Sequence, residues 1–461
     1  MYWANFLHIY QPPTQKEYWV KKIANESYRK IIKGLKANPQ AKVTLNINAV
    51  LTELFDKYKC QDVIQGIKEL AENGQIELTA SAKYHPFLPL MPEKEIIRQI
   101  DLNTATNKKY FGNAFNPRGF FPPEMAYSRR VGEVVAKAGY QWLILDELAH
   151  SGETKKIDWS QTYTLKGYDG FYIFFREREA SFRILSAEVG MSVFSSDMLI
   201  QLLGERVQRN EYLITAMDGE TFGHHRPGLE DLLFDLYNTK DLKSVHISEL
   251  SELFPTKKTI DPRPSSWALM KKDIEQNTPY SRWQDADNEI HSMQWELTNL
   301  ALKSINSTDK NTEDFNKVRE ALDQALHSDQ YWWASAMPWW SIEMIEAGAR
   351  DLQNVVLQSS LPQSDKDRAE ELYKNIIYTA FDWQRSGKVD ELAKSADEDV
   401  TQRITTEMPY IPEDEFNKIV GNLEKQMLEA AKTKEYERAA QIRDRITELN
   451  EKKDILINQE R

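Results

Sequence analysis

Short runs rich in β-branched and aromatic residues recur through the first half of the chain, separated by stretches with a helical apolar period. The runs at Trp3–His8, Val43–Asn48, Ile76–Ala80, Gly119–Phe121, Trp142–Leu145, Phe171–Phe175 and Tyr212–Ala216 read as strands. Asp62–Asn73 is one of the helical stretches, and Gly74 supplies both its C-cap and the turn into the next strand. Strands alternating with helices predict a parallel sheet with right-handed crossovers. Seven such units suit an irregular closed β/α barrel over residues 1–261 better than an open Rossmann sheet, and no GxGxxG follows the first strand.

From about Pro262 the pattern changes. Asn288–Ile305, Glu313–His327, Ile342–Leu357 and Lys366–Ser386 all carry helical periodicity, which predicts a helical domain over 262–408 packed against the barrel. Met408–Pro412 reads as a linker opening a third segment, 409–461. Within it Leu423, Met427, Ala430, Tyr436, Ala440, Ile446 and Leu449 are the apolar positions of Asp414–Lys453. A break near Lys432–Glu435 divides that stretch into an αα-hairpin.

Composition narrows the partners. The 461 residues carry a formal charge of -12, which argues against duplex DNA or an anionic membrane, since both need a basic face. A neutral substrate is compatible with that charge. The single cysteine, Cys60, cannot close an internal disulfide. No secretory leader pattern and no run of roughly 18 apolar residues occurs, so a cytoplasmic protein is expected. The 12 tryptophans crowd the middle third, where aromatic faces can stack on sugar rings or fill a core.

Chemistry gathers just past the strand ends. Gln11-Pro12-Pro13, Tyr84-His85-Pro86, Pro123-Glu124, Asp146-Glu147 and Asp218-Gly219-Glu220 follow five of the strands. In β/α barrels that rim carries the active site. Glu124 and Asp218, delivered from different strands to one rim, form the carboxylate pair that glycosidic cleavage requires. One protonates the leaving oxygen while the other attacks the anomeric carbon or activates water. Acids after strands also cap helices, so position alone leaves both readings open.

LHIYQPP, GQIELTASAKYHPFLPL, GFFPPEMAYS and TAMDGETFGHHRPG occur in this order. Together they resemble the first four signature regions of glycoside hydrolase family 57, an α-amylase and glucanotransferase family. SDQYWWASA, Ser328–Ala336, resembles its fifth region, and WQDADNEIHSMQWEL, Trp283–Leu297, resembles its helical segment. The resemblance covers about Met1 to Leu357. It implies a (β/α)7 barrel followed by a helical bundle, and a retaining hydrolase or glucanotransferase acting on α-1,4-linked glucan or maltooligosaccharide without cofactor or metal. By the same resemblance Glu124 is the nucleophile and Asp218 the general acid/base. His8, Gln11, Glu77, His85, His224, Trp283 and His291 fall on motif positions that touch sugar or order the pair, joined by the aromatics Tyr331, Trp332 and Trp333. Two departures bear on substrate preference: Tyr10 stands where the family's second histidine is common, and Pro122-Pro123 precede Glu124.

His224-His225 with His8, His85 and Asp218 raises the alternative of a metal-dependent deacetylase or zinc mannosidase. No His-x-x-x-His lies near an acidic pair, and the first histidine motif holds no aspartate. Leu423–Leu449 resembles the UVR motif, a hairpin that pairs with a like hairpin on another chain; it implies self-association or a protein partner. A non-catalytic glycan-binding adaptor recruiting through that hairpin is the other alternative. A retaining pair further predicts carboxyl groups about 5–5.5 Å apart, His8 and His85 close by, an aromatic wall from Trp283 or Tyr331–Trp333, and an Asp218 that holds its proton.

Overall fold

The computed structural model describes the chain except for residues 186–195, 227, 308–312, 338, 395–412, 433, 435, 452 and 454–461. Seven parallel strands surround the core: β1 (Tyr2–Ile9), β2 (Val43–Ile47), β3 (Ile76–Thr79), β4 (Gly119–Phe120), β5 (Trp142–Asp146), β7 (Tyr172–Arg176) and β8 (Tyr212–Asp218). They form two sheets, β3-β2-β1-β8 and β4-β5-β7. One seam is closed by Ala80, whose N–H donates to Gly119 O at 2.9 Å and whose carbonyl accepts from Phe121 N at 2.9 Å. At the other, Glu177 N donates to Ile214 O at 2.8 Å. The result is the irregular (β/α)7 barrel. Its strands are buried on both faces because helices cover the outside and side chains fill the inside.

Three further strands had no counterpart in the apolar pattern. β6 (Thr162–Leu165) runs antiparallel to β7 and parallel to β10 (Lys257–Ile260), while β9 (Lys243–Ser244) adds to β1. All three are short and rich in Lys, Thr or Ser, so alternation is too weak to mark them.

The helices Glu289–Ser307, Glu313–Ala325, Ile342–Gln358 and Gln363–Ser386 pack on one another. Their buried side chains, among them Leu297, Leu322, Leu352 and Ile376, continue the barrel's own core without a break. Tyr331 anchors this region, stacked on Trp295 with centroids 4.3 Å apart and its hydroxyl 2.6 Å from Thr298 Oγ1. The hairpin of Glu413–Lys432 and Tyr436–Glu451 keeps a separate apolar seam of Phe416, Leu423, Ala430, Ile442 and Leu449. The Met408–Pro412 linker lies outside the described residues. No helix among the described residues is long and apolar enough to cross a membrane.

Candidate active site

Strand register builds the first part of the site. His8 pairs with Asn46 of β2 and with Asp218 of β8, and Asn46 pairs with Thr79 of β3. Four polar residues therefore lie at one level, last or next to last on four neighbouring strands. His8 Nδ1 lies 2.8 Å from Asn46 Oδ1, and Asn46 Nδ2 donates to Thr79 Oγ1 at 3.1 Å. This network sets the His8 ring, which packs on Phe121 at 4.5 Å and His85 at 5.1 Å between centroids. Asp218 is the half-buried last residue of an otherwise buried β8. Among the described residues no protein donor reaches its carboxylate.

Glu124 is placed differently. Pro122 and Pro123 force an extended approach, after which Glu124 and Met125 take left-handed φ values of 62° and 47°. Such backbone costs about 1–3 kcal/mol per residue and persists only when neighbours over-determine it. Here the segment Ser265–Trp267 does so. Ser265 and Tyr127 exchange backbone bonds at 2.8 and 3.2 Å, and Trp267 N donates to Glu124 O at 3.0 Å. The Trp267 indole then donates to Glu124 Oε2 at 2.7 Å. Ser328 Oγ donates to Oε1 at 3.2 Å and itself takes a bond from His85 Nδ1 at 3.0 Å. His85, also left-handed at φ 57°, stands 3.7 Å from Oε1.

The segment carrying Trp267 is tied back to the barrel by buried charge. Arg176, at the end of β7, donates to Asp146 Oδ2 at 2.7 Å and to Trp267 O at 2.7 Å. Arg178 donates to both Asp146 oxygens at 2.9 Å and to Leu269 O at 2.8 Å. With all three charges buried and each hydrogen-bonded, removing one partner would leave an uncompensated charge.

Burial and the Asp329 charge push the Glu124 carboxyl up to about 8, opposed by its Trp267 and Ser328 donors. Burial, then the charges of Glu220 and Glu124, hold Asp218 well above the ordinary aspartate range, while Arg176 pulls it down. Asp329 stays below its ordinary value despite burial, because His327 bonds it at 3.0 Å and the Tyr10 hydroxyl donates to it at 2.6 Å. Tyr10 also stacks on His85 at 4.1 Å. Tyr10 is thus a neutral donor to a third carboxylate at the site.

Trp267→Phe keeps the ring packing and removes one donor to Glu124. A hydrogen bond to a charged group contributes about 1.5–3 kcal/mol, so kcat should fall roughly 10- to 100-fold. Because the lost donor favoured the ionised form, the acid limb of the kcat/KM profile should move to higher pH. A slower enzyme with an unmoved limb would reduce Trp267 to packing.

Of the residues singled out by sequence, His8, His85, Glu124 and Asp218 come together. Several others do not. Glu77 pairs with Thr44, one pleat deeper than the rim, where it accepts from Thr44 Oγ1 at 3.0 Å and Ser248 N at 3.3 Å. The expected aromatic wall of Trp283 and Tyr331 is sealed in the core at 0% exposure, Trp283 against Phe87 and Tyr331 against Trp295. Only Trp332 and Trp333 keep partial exposure there. His291 is fully buried with both nitrogens used, Nδ1 accepting from Asp285 N at 3.2 Å and Nε2 donating to Tyr331 O at 2.9 Å. Gln11 acts on Glu220, donating to Oε1 at 3.3 Å beside the Tyr28 hydroxyl. His224 sits farther along the rim, bonded to Glu26. Sequence reasoning missed Trp267, Ser328, Asp329 and Arg176. Ser328 and Asp329 lay inside the aromatic motif, and nothing local marked Trp267.

A family model for glycosyl hydrolase family 57 matches residues 1–262. The chain belongs to glycosyl hydrolase family 57. A UvrB/uvrC motif model matches residues 417–452, the C-terminal hairpin. An α-amylase from Pyrococcus horikoshii is 25% identical over 231 residues, half of this chain. The chain spans about a third (35%) of the length of that amylase. A branching enzyme of this family from Pyrococcus horikoshii superposes with a TM-score of 0.60 at 16% identity, covering 82% of this chain and 95% of its own. A 4-α-glucanotransferase from Thermococcus litoralis superposes with a TM-score of 0.59 at 16% identity, covering 77% of this chain and 59% of its own. At these identities the superpositions show a shared fold.

Proposed function

We propose that this family 57 protein is a retaining enzyme acting on α-1,4-linked glucan, by hydrolysis or by transfer to a sugar acceptor. Asp218 protonates the leaving oxygen while Glu124 attacks the anomeric carbon, forming a glycosyl ester. Asp218 then deprotonates the water or acceptor hydroxyl that breaks the ester. One observation carries the division of roles. Glu124 accepts two side-chain donors, which favour its charged form, whereas Asp218 has none among the described residues and lies in the field of Glu220 and Glu124. Incubation with maltooligosaccharides and chain-length analysis of the products tests the activity and separates hydrolysis from transfer. Absence of any product would end the proposal.

The chemistry is assigned to carboxylates, so activity should survive exhaustive chelation. Loss on chelation with recovery on adding zinc would favour the deacetylase or mannosidase chemistry instead.

The hairpin is proposed as a contact for a second copy or a protein partner, separate from catalysis, in a protein placed in the cytoplasm. Deleting residues 413–461 should change kcat/KM on soluble oligosaccharides less than about twofold, while weakening self-association measured by light scattering. A collapse of activity in a folded truncation would tie the hairpin to the cleft.

A further inference from the structure

One guanidinium stands between the two elements that carry the carboxylates. Arg176 ends β7, is 2% exposed, and spends its three nitrogens on three different segments. Nε donates to Asp146 Oδ2 at 2.7 Å, which fixes the plane of the fork. Nη1 donates at 3.4 Å to the carbonyl of Ala216, two residues before Asp218 on β8. Nη2 donates at 2.7 Å to the carbonyl of Trp267, and the guanidinium carbon lies 5.7 Å from that ring's centroid. Trp267 in turn gives both its backbone N–H and its indole N–H to Glu124. A planar fork reaches three acceptors at once because its donors point in fixed directions, which an ammonium on a flexible stem does not reproduce.

Arg178 supplies the contrast. It is 6% exposed, donates to the same Asp146 carboxylate at 2.9 Å, and donates to the carbonyl of Leu269 at 2.8 Å. Among the described residues it makes no bond to β8 or to Trp267. The two arginines therefore share an acidic partner and a depth of burial. They differ in whether they reach the segments that hold Asp218 and Glu124.

We infer that Arg176 is a positioning residue of the proposed reaction, fixing Asp218 and Glu124 relative to each other by bonding the β8 backbone and the Trp267 carbonyl with one fork. It touches neither the substrate nor the reacting atoms. Its charge has a second effect: it opposes Glu220 and Glu124 at Asp218, so the acid releases its proton more readily than burial alone would allow. The inference rests on the proposed glucan activity and deepens it to what holds the pair in register.

The test compares wild type, Arg176→Lys, Arg176→Met and Arg178→Lys on maltoheptaose across a pH range. Arg176→Lys should lower kcat about 10- to 100-fold with KM within about twofold, because a misplacement on the order of 1 Å costs about 10²-fold. Arg178→Lys, which makes the same exchange at the same Asp146, should stay within about threefold of wild type. Arg176→Met should also move the descending limb of kcat/KM to higher pH, since Asp218 loses the cation that lowered it. Arg176→Lys should bring that limb back without bringing back kcat. Equal losses of kcat in Arg176→Lys and Arg178→Lys, or an unmoved limb in Arg176→Met, would overturn the inference and leave the carboxylate assignment untouched. If Arg176→Met does not fold, the two lysine variants decide the matter by themselves. Failure of the wild type to act on maltoheptaose would instead overturn the underlying activity, and the role of Arg176 with it.

Discussion

Glu124→Gln is expected to lower kcat/KM on maltooligosaccharides by about 10³-fold or more while leaving the fold intact. The amide oxygen still accepts from Trp267, and the Ser328 hydroxyl can turn to accept from the new NH₂. It cannot form the glycosyl ester. Near wild-type turnover would remove Glu124 from the mechanism. The proposed nucleophile reacts as the carboxylate, so kcat/KM should rise with pH through about 8, the value set by burial and Asp329. The same carboxyl acts on stability in the opposite direction. Its folded value lies above the ordinary 4.5, so its stabilising contribution is full below about pH 4.5 and is lost as pH rises to about 8. The variant has no such proton to lose. Chemical denaturation should therefore find the two proteins alike near pH 4.5 and the variant more stable at pH 8, by an amount on the order of a few kcal/mol. A difference that did not change across this window would place Glu124 in water rather than in the buried site described.

Asp218→Asn is the second large effect. General acid–base catalysis contributes about 10²–10⁴-fold, and that full factor should be lost on unactivated maltooligosaccharides. An α-maltosyl fluoride needs no proton on its leaving group, so its first step should be nearly spared. The second step still lacks a base, and a burst followed by a slow steady state should appear. Equal loss in the first step on both substrates would argue that Asp218 orders the site without transferring a proton.

The barrel was legible because seven strands buried on both faces leave seven dense apolar runs. The helices of the bundle were legible by their period. β6, β9 and β10 were not, since edge pairing asks little of the side chains at Thr162–Leu165 or Lys257–Ile260. The site divides in the same way. Residues at strand ends, His8 and Asp218, are placed by register, and register follows from the apolar pattern. Glu77 lies on a legible strand, but one pleat too deep, and a motif match does not report depth. The Glu124 cradle comes from Trp267 and Ser328, more than a hundred residues away, through contacts that no local spacing encodes. Aromatic motifs misled for a related reason: Trp283 and Tyr331 stack equally well on a sugar or on each other's neighbours, and here the core took them.

The central claim is that Glu124 becomes covalently glycosylated with Asp218 as its acid/base partner. The direct measurement is peptide mapping by mass spectrometry of Asp218→Asn protein quenched during turnover of α-maltosyl fluoride. The account predicts one maltosyl ester, on the peptide carrying Glu124, and α-configured product from the wild type. A maltosyl group on Asp329 or Glu220, or no adduct together with β-configured product, would contradict it.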